Sequence, residues 1–135
     1  MSNDELQQKY VELQLISSQL KKVQQEADIL SQQLVELNYV KESLESLSNA
    51  KEGTDIMSPL GSGIFVNATL KSCEKVLMNV GGNVAVYKPI PEALDMVKNQ
   101  IKDIEEIIKN LKNEYMKGAT RAKELQTEMQ GMVKK

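Results

Sequence analysis

Few side chains in this 135-residue chain could carry out acid–base or nucleophilic chemistry. The chain has no histidine and one cysteine, Cys73, which excludes Cys/His metal sites, Ser-His-Asp triads and Cys-His nucleophiles. Only Lys71 and Lys75 lie close enough to Cys73 in the sequence to activate its thiol. We therefore interpret Cys73 as a small residue that is buried or partly exposed.

Two further patterns resemble catalytic motifs only superficially. The run Gly61-Ser62-Gly63 has the glycines of a phosphate loop, but neither Gly-Lys-Ser/Thr nor a helix follows it, so we interpret it as a β-turn. The carboxylates of Asp103, Glu105 and Glu106 lie on the polar side of a strongly striped helix, which is typical of a solvated face. The sequence therefore predicts a protein that is not an enzyme and uses no cofactor or metal.

The dominant pattern is a pair of apolar heptad runs, one near each end of the chain. The first run consists of Leu6, Leu13, Leu20, Ala27 and Leu34, interleaved with Ile16, Val23, Leu30, Leu37 and Leu44. The second consists of Leu94, Ile101, Ile108, Tyr115, Ala122 and Met129, interleaved with Val97, Ile104, Leu111, Gly118, Leu125 and Met132. Spacings that alternate between three and four are the a and d positions of a coiled coil, whose narrow seam needs a partner helix.

The simplest partner for each helix is the other one, so we expect an antiparallel helix pair within a single domain that spans residues 1–135. The first helix is predicted over residues 4–48, which contain no proline or glycine and would span roughly 65–70 Å at 1.5 Å per residue. The second is predicted over residues 91–133, with Pro91 in its first turn, where a missing N–H costs nothing.

The segment between the helices, residues 53–88, holds five of the seven glycines and several β-rich runs. We predict two β-hairpins, with strands at residues 56–60, 64–70, 75–80 and 84–88. The fold class is therefore α+β, a two-helix coiled coil with two inserted hairpins. Two small hairpins bury little surface and present open edges, so we expect other chains to complete them. The residues assigned to this oligomerisation surface are Ile56, Leu60, Ile64, Phe65, Val66, Ala68, Val76, Leu77, Val80, Val84 and Val86.

A second predicted surface lies where the chain termini meet at the end of the helix pair. Tyr10, Val11, Leu15 and Met116 lie off the a/d seam, and flexible methionines suit a surface that must fit many shapes. Gly118 at a d position weakens packing by roughly 1 kcal/mol relative to alanine, so this end could splay apart. The predicted binding residues are Leu6, Tyr10, Val11, Leu13, Leu15, Met116, Ala119, Ala122, Leu125, Met129, Met132 and Val133. For Leu13, Leu125 and Met129, packing within the seam is an equally good interpretation.

Composition limits the kinds of partner and the cellular location that we expect. With 17 Lys+Arg against 19 Asp+Glu, a net charge of −2 gives no electrostatic reason to expect a nucleic-acid partner. We expect no membrane partner, because no run approaches the roughly 20 apolar residues of a membrane helix. The N-terminal residues lack the apolar core of a signal peptide, and a lone cysteine fits a reducing compartment, so we expect a cytoplasmic location.

The order helix, two hairpins, helix resembles the prefoldin family. The segments that carry the resemblance are PLGSGIFVNA at residues 59–68 and VLMNVGGNVAV at residues 76–86. Two hairpins resemble the alpha class, because beta-class subunits carry one, and the chain length is similar to that of archaeal subunits. The resemblance covers the whole chain, and the hairpin motif is more specific than the heptads.

The resemblance implies an ATP-independent holdase in which two alpha and four beta subunits join their hairpins into a double β-barrel. The coiled-coil tips would then capture unfolded client proteins, prevent their aggregation and pass them to a group II chaperonin. One alternative is an alpha-like paralogue that assembles with itself, including into filaments. Another is a structural coiled-coil tether for one specific partner, and an enzyme is a distant third.

Overall fold

The computed structural model describes residues 2–133 and has two long α-helices with two antiparallel β-hairpins between them. The elements are α1 Ser2–Asn49, β1 Asp55–Gly61, β2 Ile64–Thr69, β3 Lys75–Gly81, β4 Val84–Pro89 and α2 Ile90–Val133. The predicted α+β arrangement of helices and hairpins is confirmed. No helix among these residues is both long and apolar enough to cross a membrane.

The chain divides into two compact units. The terminal unit contains residues 2–34 and 103–133 among those described, and the hairpin unit contains residues 35–102. Each helix therefore contributes one part to each unit.

In the terminal unit, α1 and α2 run antiparallel. Three side-chain pairs join them: Lys9 with Glu128, Glu12 with Arg121, and Gln19 with Glu114. The residue number on α2 falls as the number on α1 rises, which only an antiparallel pair produces. The largest buried side chains of this unit are Val23, Ile108 and Leu125, all of them at predicted a or d positions.

The heptad positions are shielded in both units. Every a and d residue of the two runs is buried or half-buried except Tyr115, which is 38% exposed. In the hairpin unit the buried side chains are Leu44, Ile90, Ala93, Val97 and Ile101. All five belong to helices, so no strand residue of this unit is buried.

Gly118 lies against α1. A Cβ atom added to Gly118 would lie 2.7 Å from Cδ2 of Leu20 and 3.4 Å from its Cγ. The glycine thus leaves the space that the end of Leu20 occupies, and beside it remains an open cavity of about 290 Å³. The sequence indicated only that Gly118 would loosen the seam; in the structure Leu20 also packs into the gap.

Both hairpins close through two-residue turns of the same type. Ser62 and Gly63 have φ of 50° and 77°, and Gly82 and Asn83 have φ of 59° and 62°. Positive φ at both central residues is the type I′ geometry, whose twist matches that of the flanking strands. These turns account for the Gly-Ser-Gly run that superficially resembled a phosphate loop.

The hairpins repeat each other at an interval of twenty residues. Asp55 pairs with Thr69 and Lys75 with Pro89, and each ladder shifts register just before the turn. The shift leaves Leu60 and Val80 as the extra residues of equivalent bulges. β1 pairs only with β2, and β3 only with β4, so the described strands form two separate two-stranded sheets.

Enlarging Gly118 tests its contact with Leu20. We expect Gly118→Leu to lower the free energy of unfolding by about 1–3 kcal/mol, because the new side chain must displace Leu20 from a packed seam. Urea denaturation followed by far-UV circular dichroism measures this difference. Gly131→Leu is the matched control, since nothing lies within 4 Å of a Cβ at that position of α2. Equal stability of the two variants would contradict the contact.

Acid should weaken the pair formed by Lys9 and Glu128. The hydrogen bond and the charge of Lys9 lower the pKa of Glu128, Arg121 adds to this, and desolvation opposes it. A carboxyl whose pKa is lowered by folding adds stability above its unfolded pKa of about 4.3, and loses it as the pH falls through the folded value.

We therefore expect Glu128→Gln to be less stable than the wild type at neutral pH. The difference should shrink as the pH falls below the unfolded pKa and vanish once the pH lies below the folded pKa. The effect will be small and salt-sensitive, because both side chains are partly exposed. Thermal melts across pH check it, with Glu106→Gln, an exposed residue of α2, as the control. A constant difference between Glu128→Gln and wild type at all pH values would rule out the ion pair as its cause.

Candidate protein-binding surfaces

The hairpins expose apolar side chains on both faces. Ile64, Phe65 and Val66 are consecutive on β2 and are 59%, 54% and 45% exposed. Successive strand residues point to opposite faces, so both faces of this hairpin carry apolar side chains that the described residues leave exposed. Each strand is also an edge strand, which carries unpaired backbone N–H and C=O groups. Such a surface is suited to pairing with other chains.

The predicted oligomerisation residues fall into two groups. The exposed ones are Ile56, Leu60, Ile64, Phe65, Val66, Leu77, Val80 and Val84. Ala68, Val76 and Val86 are half-buried. Sequence reasoning missed Met57 and Tyr87, which are 59% and 71% exposed. Tyr87 lies directly opposite Leu77, so the two side chains share one face of the second hairpin.

The predicted residues near the helix ends all lie in the terminal unit, at three levels of burial. Tyr10, Val11, Leu15, Met116 and Val133 are exposed. Leu6, Leu13, Ala119, Ala122, Met129 and Met132 are half-buried. Leu125 is fully buried, with no exposed surface. The structure therefore brings the set into one unit, but presents only part of it to solvent.

Met116 borders two shallow grooves of the terminal unit. One has a volume of about 450 Å³ and includes Leu34 and Ile108 in its lining, and the other has about 320 Å³ and includes Ala27 and Tyr115. Lys112 lines both grooves as well. Both linings combine apolar side chains with polar or charged ones, and both include an exposed methionine whose side chain is flexible. Sequence reasoning missed them, because each groove combines side chains from two segments that are distant in the sequence.

Arg121 joins the two helices within this surface. Its Nε and Nη2 atoms donate to the two carboxylate oxygens of Glu12, at 3.0 and 3.3 Å, and its Nη1 donates to Glu124 at 3.4 Å. The hydrogen bond from Arg121 to Glu12 and the charge of Glu12 raise the pKa of Arg121. An arginine is charged throughout the physiological pH range, so Arg121 itself does not act as a pH switch.

No group of three or more histidine, cysteine, aspartate or glutamate side chains within residues 2–133 is arranged to hold a metal ion. Cys73, the one residue with a reactive thiol, is partly exposed in the link between the hairpins. The exposed apolar side chains of the hairpins and of the terminal unit are therefore the candidate surfaces for contacts with other proteins.

Comparison with known proteins agrees with this geometry. The family model for prefoldin subunits matches residues 16–135. The prefoldin subunit alpha of Methanococcus vannielii is 36% identical over 103 residues, which cover 76% of this chain and 68% of that protein. The prefoldin subunit alpha of Archaeoglobus fulgidus is 29% identical over 135 residues, covering 95% of this chain and 93% of the relative.

The fold has a counterpart among solved structures. A filamentous PFD from Methanocaldococcus jannaschii, determined by cryo-EM, superimposes with a TM-score of 0.74 at 22% sequence identity. The match covers 88% of this chain and 98% of that one. The predicted resemblance is thereby confirmed: this chain belongs to the prefoldin family as an alpha-class subunit, a non-enzymatic component of a chaperone.

Proposed function

We propose that this chain is a subunit of an ATP-independent holdase, which captures unfolded proteins at its helix ends and prevents their aggregation. The observation that carries the proposal is the exposed apolar set Tyr10, Val11, Leu15, Met116 and Val133 within one unit of an alpha-class prefoldin. In the complete proposal the client then passes to a group II chaperonin, in the cytoplasm.

The chemistry of these side chains fits clients of many sequences. Apolar attraction is non-directional, and unfolded chains expose far more apolar surface than folded ones. Fully burying one large aliphatic side chain contributes about 1.5–3 kcal/mol. Loss of freedom and ordering of the client on binding offset much of this gain, so the few exposed residues of one chain bind a client weakly. Several such ends in one complex raise the effective concentration of contacts, and together they hold a client that one end would release.

Assembly through the hairpins would bring several helix ends together in one complex. Two-stranded hairpins are marginally stable alone, and those of this chain leave Phe65, Leu77 and Tyr87 exposed. We propose that they join the hairpins of beta-class subunits in a shared β-barrel, two alpha subunits with four beta subunits. Pairing would satisfy the edge strands and cover the exposed side chains together.

Self-assembly is the second candidate, and one observation favours it. The fold neighbour from Methanocaldococcus jannaschii is filamentous. The two hairpins of the present chain share one backbone geometry, so each could pair with a copy of the other. A tether for a single specific partner is the third candidate, and it differs from the others in requiring no suppression of client aggregation.

Polar substitution at the helix ends tests client capture. We expect the triple variant Val11→Ser/Leu15→Ser/Met116→Ser to lose most of the wild type's ability to suppress aggregation, because it removes exposed apolar contacts without touching the seam. Light scattering of a chemically denatured, aggregation-prone enzyme, diluted into the complex without ATP, measures the loss.

Val35→Ser/Tyr39→Ser is the matched control, since both residues are exposed on α1 but belong to the hairpin unit. The control should suppress aggregation like the wild type. A triple variant that is as effective as the control would count against the helix ends as the capture site.

Introducing a charged residue on the exposed surface of a hairpin tests whether the hairpins mediate assembly. Phe65→Asp should abolish the complex, because a carboxylate would be buried without a partner at an intersubunit barrel. Native mass spectrometry of the chain alone, and mixed with a beta-class prefoldin subunit, measures the assembled mass. Lys71→Asp, in the link between the hairpins, is the control and should assemble normally.

The same measurement separates the candidates. A mass of two copies with four beta subunits supports the hetero-hexamer, and large assemblies of the wild-type chain alone support self-assembly. A wild-type chain that stays monomeric under both conditions would refute the shared barrel.

A further inference from the structure

Four charged side chains link the two helices near their free ends. Lys9 of α1 pairs with Glu128 of α2, and Glu12 of α1 accepts two hydrogen bonds from Arg121 of α2. We call these four residues the terminal clasp. The polarity alternates, because the cation lies on α1 in one pair and on α2 in the other. Such crossed pairs favour one register of the two helices over its neighbours.

Leu125 lies between the two halves of the clasp. On α2 it follows Arg121 by four residues and precedes Glu128 by three, which places all three on one face of the helix. It is the largest fully buried side chain among residues 2–133, while Ala122 and Met129 on either side are only half-buried. The clasp therefore brackets the best-covered apolar side chain of the terminal unit.

The seam positions that precede Leu125 on α2 carry small residues. Gly118 and Ala122 occupy consecutive seam positions before Leu125, so little apolar surface holds the helices together there. Both salt bridges that join the two helices within residues 2–34 and 103–133 belong to the clasp. Their side chains are 28–45% exposed, so the ionic contribution is modest and is screened by salt. The balance between a closed and an open helix end thus depends on a few weak contacts.

We propose that the terminal clasp holds the helix end closed over Leu125, and that its release exposes Leu125 and Met129 as a reserve surface for unfolded clients. This inference rests on the proposed capture of clients at the helix ends. The apolar surface that the chaperone exposes would then vary with conditions. Salt would open the helix end by screening the clasp, and acidic client segments would open it by competing for Lys9 and Arg121. In the closed state Leu125 stays buried when no client is bound.

The opening is measured by thiol labelling. In a Cys73→Ser/Leu125→Cys background, the new thiol should react slowly with Ellman's reagent at about 0.05 M NaCl and faster at about 0.5 M, where screening is strong. Adding Glu12→Gln/Glu128→Gln should raise the low-salt rate roughly two- to thirtyfold, the factor expected for two exposed ion pairs, and remove most of its salt dependence.

Glu106→Gln/Glu124→Gln is the matched control, with the same change in net charge. Glu124 contacts Arg121 only along α2, and Glu106 is exposed on the same helix, so neither ties the helices together. The control should label at the rate of its parent. Hydrogen exchange of the segment around Leu125, in the otherwise unaltered chain, gives the same comparison if Leu125→Cys disturbs the fold.

Aggregation suppression completes the test. Glu12→Gln/Glu128→Gln should suppress more aggregation per chain than the wild type or the control at low salt. Equal labelling and exchange in the clasp variant and the control would overturn the clasp. Faster opening without a gain in suppression would overturn the role of Leu125 in client binding. A wild type that suppresses nothing would defeat the holdase proposal itself, while the exchange rates still decide whether the clasp closes the end.

Discussion

The physical constraint on which the rest of the structure depends is the narrowness of the a/d seam. Each long helix has only one apolar stripe, and burying that stripe against the other helix is what stabilises both. The buried side chains of the described residues, from Val23 to Leu125, all belong to α1 or α2. Many large apolar side chains of the described residues that lie off the seam are exposed, such as Leu15, Val35 and Met116.

That constraint explains why the hairpins and the terminal unit, which both expose apolar side chains, differ in how far their stability depends on a partner. The hairpins contain no buried residue and have open edges on every strand, so their own contacts favour the folded state only weakly. Their stability is therefore linked to whatever pairs with them, and it rises with the concentration of that partner. The exposed residues of the terminal unit stand instead on a helix pair that is already closed, so they can stay uncovered without loss of structure.

Much of the fold was predictable because its signals are local and periodic. The heptads indicated which residues form the seam, and the glycine-rich runs indicated where each hairpin turns. Positive φ at Gly63 and Asn83 is a finding of the structure that agrees with those turns. The pairing of Arg121 with Glu12 was not predictable, because it depends on the axial offset of two distant segments and on long flexible side chains. Leu20 filling the space at Gly118 was missed for the same reason. Exposure of Met57 and Tyr87 was missed because alternation alone does not say whether a strand has one covered face or none.

The two hairpins repeat each other in backbone geometry but differ in their side chains. Backbone geometry is shared, since turns, bulges and registers coincide, so the two hairpins offer partners the same edges. The side chains are not shared: the aromatic residue is Phe65 in the first hairpin, beside the turn, and Tyr87 in the second, two residues farther from it. Edge hydrogen bonds can therefore supply affinity to either hairpin but cannot tell them apart. Discrimination between partners must come from where each aromatic ring lies along its strand, because a partner shaped for one leaves a gap or a clash against the other.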